Sequence, residues 1–306
     1  MADLLIGWAE ADITPDRTVE LHGQYYQRVS AGIHSRLGLT ALVLAQGKEQ
    51  AVWISADLTS FDRGLLGEIR EAVRATVPDL DGSRILMNAT HTHCAPAVKA
   101  WKNWWTPDPA AMQVEDYRRF VVGRAAEAIA TAWVARAAGG AAAVREQAVV
   151  GHCRRAVYAN GTAEMYGDTR RPDFIGMEGN EDSTLNLLFF FDGRGRPTGA
   201  IVNASCPAQV MEATYQVSSD YMGEARRLLK ETFGPAFGVL CQIGPAGCQS
   251  PRDLARTRDA AYWSAAGAAR LGRRVAEAAV RASEPAADVQ RTGLSLRHTV
   301  RDLPLP

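Results

Sequence analysis

Two pairs of apolar runs, each joined by a turn-forming segment, limit the folds that this chain can adopt. The first pair is 37–44 and 50–56, with Gly47 in the turn between them. The second pair is 185–191 and 198–204, separated by a polar, glycine-containing segment. Short connections of this kind are typical of β-hairpins, whose strands pair antiparallel. The sheet of this protein therefore contains antiparallel neighbours.

Helical periodicity occurs between and after these strand pairs. The predicted helices cover 65–77, stopped by Pro78; 114–137, stopped by Gly139 and Gly140; 221–231, stopped by Gly234; and 258–282. Further short apolar runs predict strands at 4–8, 84–88 and 237–243. Strands and helices do not alternate strictly, and no repeat or Pro/Gly/Ser-rich linker divides the chain. We expect one α/β domain over 1–306, with mixed β-sheets and flanking helices.

Composition excludes several classes of partner. The 34 basic and 34 acidic side chains cancel, so no net charge attracts nucleic acid or an anionic membrane surface. Five cysteines without CxxC spacing indicate a reducing compartment rather than a disulfide framework. No apolar run approaches membrane-spanning length, and no signal peptide opens the sequence. These features predict a cytoplasmic protein without a transmembrane segment, or a secreted protein if an N-terminal signal peptide was removed.

A Thr-His-Thr-His motif follows the strand predicted at 84–88. His91 and His93 are two residues apart, so their imidazoles can share one face of a strand or converge in a tight turn. Neutral imidazole is the commonest zinc ligand, and α/β folds place their sites in loops after strands. The alternative is that both rings only satisfy local backbone groups. Spacing alone leaves both interpretations open.

A glycine-rich turn at 244–251 carries a second candidate group. Gly247 allows backbone N–H groups to approach a developing oxyanion, and Ser250 is a nucleophile if a base or metal activates it. A Ser-Pro pair after glycine is also common in turns that cap the next segment. Both roles are compatible with the sequence.

Thiol and carboxyl groups cluster in a third region. Cys206 follows the strand at 198–204, and Glu212 and Asp220 come soon after it. A thiolate or carboxylate in this region can complete a zinc shell with His91. Cys206 is equally compatible with an inert core position, and Asp220 with the N-terminal cap of the helix predicted from Tyr221.

Two arginines and several aromatic residues are candidates for substrate binding. Arg154 and Arg155, with Tyr166 nearby, can orient a polar substrate through forked hydrogen bonds, or form surface salt bridges. Three tryptophans after the histidine motif can line an apolar cleft or pack a loop on the core: Trp101, Trp104 and Trp105.

The order of these motifs resembles the neutral/alkaline ceramidase family along nearly the whole chain. The matching segments are Ile6-Gly7 with 11–15, 55–57, 88–93 before Pro96, Arg154-Arg155, Val202-Asn203, Ser219-Asp220 and 247–251. Seven ordered matches are much more specific than any one of them.

The resemblance implies a zinc-dependent amidohydrolase that cleaves an N-acyl bond of a small-molecule or lipid substrate. It implies that His91 binds zinc, and that His93 lies beside the metal and carries a proton to the leaving amine. Ser250 matches the serine proposed as nucleophile or proton relay, and Arg154 or Arg155 the arginine that holds the substrate. Gly247, Asp220 and Tyr166 are expected to contact the substrate.

Two departures from the family pattern modify this expectation. Where ceramidases supply another histidine ligand, this chain has Cys206 before Pro207, so the thiolate replaces that ligand or the ligand is lost. The family's remaining ligands, a glutamate and a later tyrosine, have no counterpart before Pro306, so we expect a catalytic domain whose C-terminal part is missing. Two alternatives are a hydrolase of a soluble amide or ester, and an incomplete domain that binds a metal or ligand without turnover. The oligomeric state is left open.

Overall fold

A computed structural model describes residues 2–99, 105–255, 260–289, 291–301 and 304. Its strands are β1 Leu5–Asp12, β2 Gly32–Ile33, β3 Gly38–Gln46, β4 Glu49–Ala56, β5 Ile85–Ala89, β6 Ala137–Gln147, β7 His152–Cys153, β8 Arg155–Tyr158, β9 Ala163–Met165, β10 Phe174–Met177, β11 Thr184–Asp192, β12 Pro197–Ala204, β13 Gln216–Val217, β14 Gly238–Ile243 and β15 Gln249–Ser250. Its α-helices are α1 Arg63–Thr76, α2 Val114–Ala135, α3 Asp220–Phe233 and α4 Ala265–Val289.

An eight-stranded mixed sheet has the order β14-β12-β11-β6-β1-β3-β4-β5. Both predicted hairpins are present, because β3 pairs antiparallel with β4 and β11 pairs antiparallel with β12. The pairs β4–β5 and β12–β14 are parallel. The predicted mixed α/β fold is therefore confirmed.

The sheet bends between β6 and β1, which pair only at Leu5 and Ile6. Thr40 Oγ1 on β3 consequently donates to the carbonyl oxygen of Val239 on β14, at 3.0 Å. The four strands β14, β12, β11 and β6 thus face the four strands β1, β3, β4 and β5. The arrangement is that of two packed half-sheets.

An apolar layer fills the space between the half-sheets. It includes Leu42 and Leu240, and Trp8 packs against it. A Cβ atom at Gly199 or Gly238 would lie within 2.5 Å of the Trp8 indole, so the glycines make room for this ring. Helices α1 and α2 cover the outside of one half-sheet, and α3 and α4 cover the other. The result is four layers, helix–sheet–sheet–helix.

The first helix follows its sequence pattern closely. Leu65, Ile69 and Val73 are buried, and the Asp62 carboxylate accepts a hydrogen bond from the Leu65 N–H at 2.8 Å. This is an N-terminal cap, which satisfies one of the donors that a helix start leaves without a partner. Of the helices in the described part of the chain, none is long and apolar enough to cross a membrane.

Two predicted helix boundaries were wrong. Gly139 and Gly140 do not end a helix; α2 ends at Ala135, and both glycines lie in β6, which pairs with β11 along its length. The segment is rich in alanine and glycine, so it lacks the β-branched residues that predict a strand. The helix predicted at 258–282 is α4, which begins and ends later, while 256–259 lie outside the described residues.

Several short strands were not predicted, namely β2, β7, β8, β9, β10, β13 and β15. Leu294 and Leu296, which alternate with polar residues near the end of the chain, pack against the layer between the half-sheets. Leu303, the last residue of that pattern, lies outside the described residues. All five cysteines are free, as expected.

A buried ion pair links helix α3 to the end of β4. The Asp57 carboxylate is fully buried and pairs with the Arg226 guanidinium on α3. It also accepts hydrogen bonds from Gly38 N at 2.7 Å and from Thr90 Oγ1 at 3.1 Å. Because Thr90 begins the histidine motif, this carboxylate fixes the motif on the sheet.

Asp57→Asn is expected to destabilise the protein by about 3–5 kcal/mol, because it leaves the Arg226 charge buried without its counter-charge. The free energy of unfolding from urea titration measures this effect. Asp16→Asn, in the exposed pair with Arg17, is the matched control and should cost at most about 1 kcal/mol. A cost for Asp57→Asn as small as that of the control would show that the pair does not support the fold.

Candidate active site

The histidine motif forms a tight turn after β5. Thr92 Oγ1 donates to the Ser218 carbonyl oxygen at 2.7 Å, and Thr90 bonds to Asp57 at the other end of the turn. His91 has φ +61°, a left-handed conformation that costs free energy for any residue except glycine. The threonines therefore hold a strained backbone that aims the two imidazoles.

The two imidazoles meet through their Nε2 atoms, which lie 3.1 Å apart. His91 Nδ1 lies 2.6 Å from the Thr59 carbonyl oxygen, and His93 Nδ1 lies 3.5 Å from Glu212 Oε2. The Thr59 carbonyl oxygen can only accept, so His91 Nδ1 is the donor and His91 Nε2 presents a lone pair. The Gln209 amide nitrogen is 2.9 Å from His93 Nε2 and donates to it. Oriented imidazoles of this kind are typical of metal-binding histidines.

Burial keeps the histidines of this region neutral. It lowers the pKa of His91, and it lowers the pKa of His93 well below the usual value, with the charges of His91 and Arg28 adding to the effect. His22 also lies nearby, and burial together with the Lys99 charge lowers its pKa to about 4. Neutral rings are the form in which histidine accepts protons and binds metals.

A buried arginine organises the loops beneath the imidazoles. Arg28 is fully buried, and its guanidinium donates to the carbonyl oxygens of Thr214 at 2.9 Å and of His22 at 3.0 Å. It also donates to the carbonyl oxygen of His93. One side chain thus ties together three segments that are far apart in the sequence.

Glu212 connects His93 to two further polar side chains. Its carboxylate accepts from Gln24 Nε2 at 3.0 Å and from the Arg252 guanidinium at 3.2 Å. Burial raises the pKa of Glu212, and the Arg252 charge opposes that rise. The carboxylate therefore holds His93 from the side opposite to His91.

Gly23 leaves room for the His93 ring. Its φ is +109°, and a Cβ atom at this position would lie 2.5 Å from His93 Cγ. Only glycine satisfies both the backbone conformation and the contact. The loop before Gln24 therefore depends on this residue for its approach to the site.

A second group of predicted site residues meets around Ser250. Arg154 donates to the Gly247 carbonyl oxygen at 2.7 Å, and its other terminal nitrogen lies 3.4 Å from the Tyr166 hydroxyl. That hydroxyl donates to Ser250 Oγ at 3.5 Å. The structure thus brings together two pairs of residues that the sequence analysis treated separately, Arg154 with Tyr166 and Gly247 with Ser250.

One cleft of about 410 Å³ joins the two groups. Its lining includes His91, Gln209, Arg154, Gly247 and Phe61. This size is within the range of small-molecule sites in proteins. Ser250 itself is only 1% exposed and lies behind Tyr166.

Three predicted site residues lie elsewhere. Arg155 forms a surface ion pair with Glu178, so Arg154 is the arginine at the cleft. The Asp220 carboxylate accepts from the Met211 and Tyr221 backbone N–H groups, both at 2.7 Å, and burial raises its pKa to about 6. Its contacts are those of a structural residue at the start of α3. The third residue is Cys206.

Cys206 belongs to the core between β12 and the outer helices. Its side chain is fully buried, and Sγ contacts the Val150 carbonyl oxygen at 3.5 Å. Burial raises the pKa of this thiol strongly, which disfavours the thiolate that binds zinc. The interpretation of Cys206 as a core residue fits these contacts better than that of a ligand.

The tryptophan cluster is only partly described. Trp105 lines a separate cavity of about 230 Å³, together with His22 and Tyr117, and its Nε1 donates to Glu20 at 3.2 Å. Trp101 and Trp104 lie outside the described residues.

Several residues of the site were not found from the sequence. Gln209 is the one for which a signal existed, because it is a polar residue in the otherwise apolar segment 206–211. The others carry no local pattern: Gln24, Arg28, Thr59 and Arg252.

The fit of a metal ion to the site can be tested on its donor atoms. His91 Nε2 and His93 Nε2 converge, as two zinc ligands do. Among the residues described, no group of three or more histidine, cysteine, aspartate and glutamate side chains could hold a metal ion. The described residues therefore supply one imidazole nitrogen at the cleft, His91 Nε2, with His93 Nε2 beside it, which is less than the four ligands of a tetrahedral shell.

The fold is that of the ceramidases. The structure of the neutral ceramidase from Pseudomonas aeruginosa is similar, with a TM-score of 0.75 at 20% sequence identity. A ceramidase complexed with C2 gives a TM-score of 0.73 at 18% identity. In both cases 96% of this chain is covered, but only 46% of the ceramidase chain, so this chain spans about half their length.

The family model described as neutral/alkaline non-lysosomal ceramidase, N-terminal, matches residues 4–237. The chain therefore belongs to the neutral/alkaline non-lysosomal ceramidase family. No curated protein matches it. The predicted family resemblance is confirmed.

The stability of the protein should depend on pH through the buried histidines. Below pH 6.5 the unfolded chain binds a proton at His22, whereas the folded chain does not until about pH 4. The stabilisation is complete above pH 6.5 and is lost as the pH falls, by at most about 1.4 kcal/mol per pH unit for one histidine. Urea titrations at about pH 8, 6 and 5 should show a shallower fall for His22→Gln than for the wild type.

The measurement at the highest pH is the control, since it gives the packing cost of His22→Gln alone. The comparison between the two proteins also cancels the opposite contribution of Asp220, whose raised pKa stabilises the fold as the pH falls. Equal slopes for both proteins would contradict the assignment of His22 as a neutral buried ring.

Gly23→Ala should destabilise the protein by about 2–3 kcal/mol and displace the His93 ring, which NMR of the imidazole protons would detect. Gly161→Ala is the matched control. Gly161 has φ +81°, and nothing lies within 4 Å of the position that an alanine Cβ would take there, so this substitution carries the backbone cost without the clash. Equal destabilisation by both substitutions would show that Gly23 does not support His93.

Proposed function

We propose that this protein is a hydrolase that cleaves an N-acyl amide bond of the ceramide type. The observation that carries the proposal is the convergence of the His91 and His93 Nε2 atoms, together with the cleft that His91 and Arg154 both line. Membership of the ceramidase family supports this substrate class. The substrate would be a lipid or small-molecule amide.

Zinc is the proposed cofactor. His91 Nε2 would bind it, with His93 Nε2 beside it, and both rings are held in the neutral form that suits a ligand. When bound, the ion would polarise the amide carbonyl as a Lewis acid. The remaining ligands have to come from groups other than the histidine, cysteine and carboxylate side chains described, because those form no larger cluster.

The residues of the chain suit the other parts of an amide hydrolysis. Arg154 would hold the polar part of the substrate, since its guanidinium lies at the cleft and is already oriented by Gly247 and Tyr166. His93, neutral at about pH 7, would take a proton from an attacking water and deliver it to the leaving amine. Ser250 is the alternative nucleophile. Arg155 and Cys206 have no part in this proposal, because Arg155 pairs with Glu178 at the surface and Cys206 is buried in the core.

The test combines zinc content with hydrolysis. His91→Ala should lose bound zinc and lower kcat/KM by about 100-fold or more, because the Lewis acid supplies several kcal/mol. His298→Ala is the matched control, since His298 contacts the Gln50 carbonyl oxygen at the sheet edge. Metal analysis and a panel of ceramide-type amides, soluble amides and esters provide the readouts.

A preference for soluble substrates would show that the protein is a hydrolase of a different substrate class. Zinc binding without turnover of any substrate would favour a metal-binding domain that lacks catalysis. Full activity of both the His91→Ala and the Ser250→Ala variants would contradict the proposed mechanism.

A further inference from the structure

A short strand pair places a histidine directly opposite Ser250. Strands β7 and β15 pair antiparallel, with Ser250 facing His152 and Gln249 facing Cys153. Directly opposed residues in an antiparallel pair project to the same side, with Cβ atoms about 4.5–5.5 Å apart. The His152 imidazole and the Ser250 hydroxyl therefore project to the same side of this ladder.

The two faces of the ladder differ in their surroundings. A Cβ atom at Gly151 would lie 3.1 Å from Cys206 Cβ and 3.4 Å from Gln249 Oε1, so this face is turned to the core. Because side chains alternate along a strand, His152 belongs to the other face, as Arg154 two residues later does. That second face carries the contacts to the substrate cleft.

The His152 ring is held by a carboxylate. Its Nδ1 lies 2.7 Å from Glu181 Oε1, and the imidazole is nearly buried while the carboxylate is 29% exposed. The carboxylate accepts the Nδ1 proton, so the neutral ring presents its lone pair at Nε2. Hydrolases activate a serine nucleophile by this arrangement, in which a histidine acts as the base and a carboxylate orients the histidine.

Among the described residues, the hydrogen bonds of Ser250 leave its hydroxyl proton without an acceptor. Its Oγ accepts from the Arg252 backbone N–H at 3.1 Å and from the Tyr166 hydroxyl at 3.5 Å. A hydroxyl has two acceptor positions and one proton, so both acceptor positions are occupied and the proton is left to donate. In the part of the chain that the structure describes, no acceptor takes it within hydrogen-bond distance. Hydrogen bonds of this kind often tighten only when substrate is bound.

We propose that His152, oriented by Glu181, is the general base that activates Ser250. As Ser250 Oγ bonds to the acyl carbon, its proton passes to His152 Nε2, and then to the leaving nitrogen as the C–N bond breaks. Water hydrolyses the resulting acyl-serine ester with His152 as base again. The substrate carbonyl takes the place of the Tyr166 hydroxyl, which covers Ser250 in this structure. The acyl substrate class rests on the proposed function; the Ser250–His152–Glu181 relay rests on geometry.

A fluorophosphonate probe tests the relay without any substrate or metal. Ser250 Oγ bonds to phosphorus, fluoride leaves, and the serine proton goes to His152. We expect labelling of the full chain at Ser250, identified by peptide mass spectrometry, and none in Ser250→Ala. His152→Gln should be labelled about 100-fold more slowly. His298→Gln, away from this ladder, should be labelled at the wild-type rate.

Glu181→Gln is the second variant, in case His152→Gln does not fold. It should slow labelling by about 10-fold or more, because glutamine no longer fixes the ring in one tautomer. Circular dichroism and thermal unfolding check the fold of both variants. Labelling of Ser250 at the wild-type rate in folded His152→Gln or Glu181→Gln would overturn the proposal, and so would absence of labelling in the wild type.

Failure of this relay is distinguishable from failure of the proposed function. If Ser250 is labelled in a His152-dependent way but the protein hydrolyses no N-acyl amide, the relay is supported and the proposed substrate class is wrong. If folded His152→Gln still hydrolyses such an amide at the wild-type kcat, the relay is wrong but the proposed hydrolase function stands. In that case water would attack with His93 as the base.

Discussion

The site depends on the interactions of the fully buried Asp57 carboxylate. It accepts hydrogen bonds from Gly38 and Thr90 and pairs with Arg226, so it joins the ends of β3 and β4, the histidine turn and helix α3. A buried charge is tolerated only when it is compensated, and here every compensating group comes from a different element. The position of the imidazoles relative to the sheet is therefore set by an electrostatic requirement of the core.

Desolvation then determines the chemistry of the cleft. The same burial that stabilises the four layers lowers the pKa of His91 and His93 and raises the pKa of Glu212. Neutral imidazoles with their Nδ1 atoms turned outward are suited to accept a metal ion or a proton. The Ser250 group lies at the other side of the cleft and has its own histidine and carboxylate. The site thus combines two sets of polar groups around one cleft.

Local sequence signals located seven of the eight strands of the large sheet, the histidine turn and the serine loop, but not their surroundings. The hairpins and α1 were predictable because turn residues and apolar periodicity act over short stretches of sequence. Strand β6 was missed because alanine and glycine have no strand preference, and its pairing with β11 decides its conformation. Gln24 was missed for a similar reason, since its partner Glu212 is 188 residues away.

The sequence by itself determined the elements that periodicity and turn chemistry encode, together with the spacing of His91 and His93 and the family that the ordered motifs indicate. Tertiary structure decided which atoms of these rings face each other, that Arg154 rather than Arg155 lines the cleft, and that Cys206 is a core residue. It also placed His152 opposite Ser250. The physical reason is that burial, charge compensation and strand register depend on contacts between distant segments, which no local pattern records.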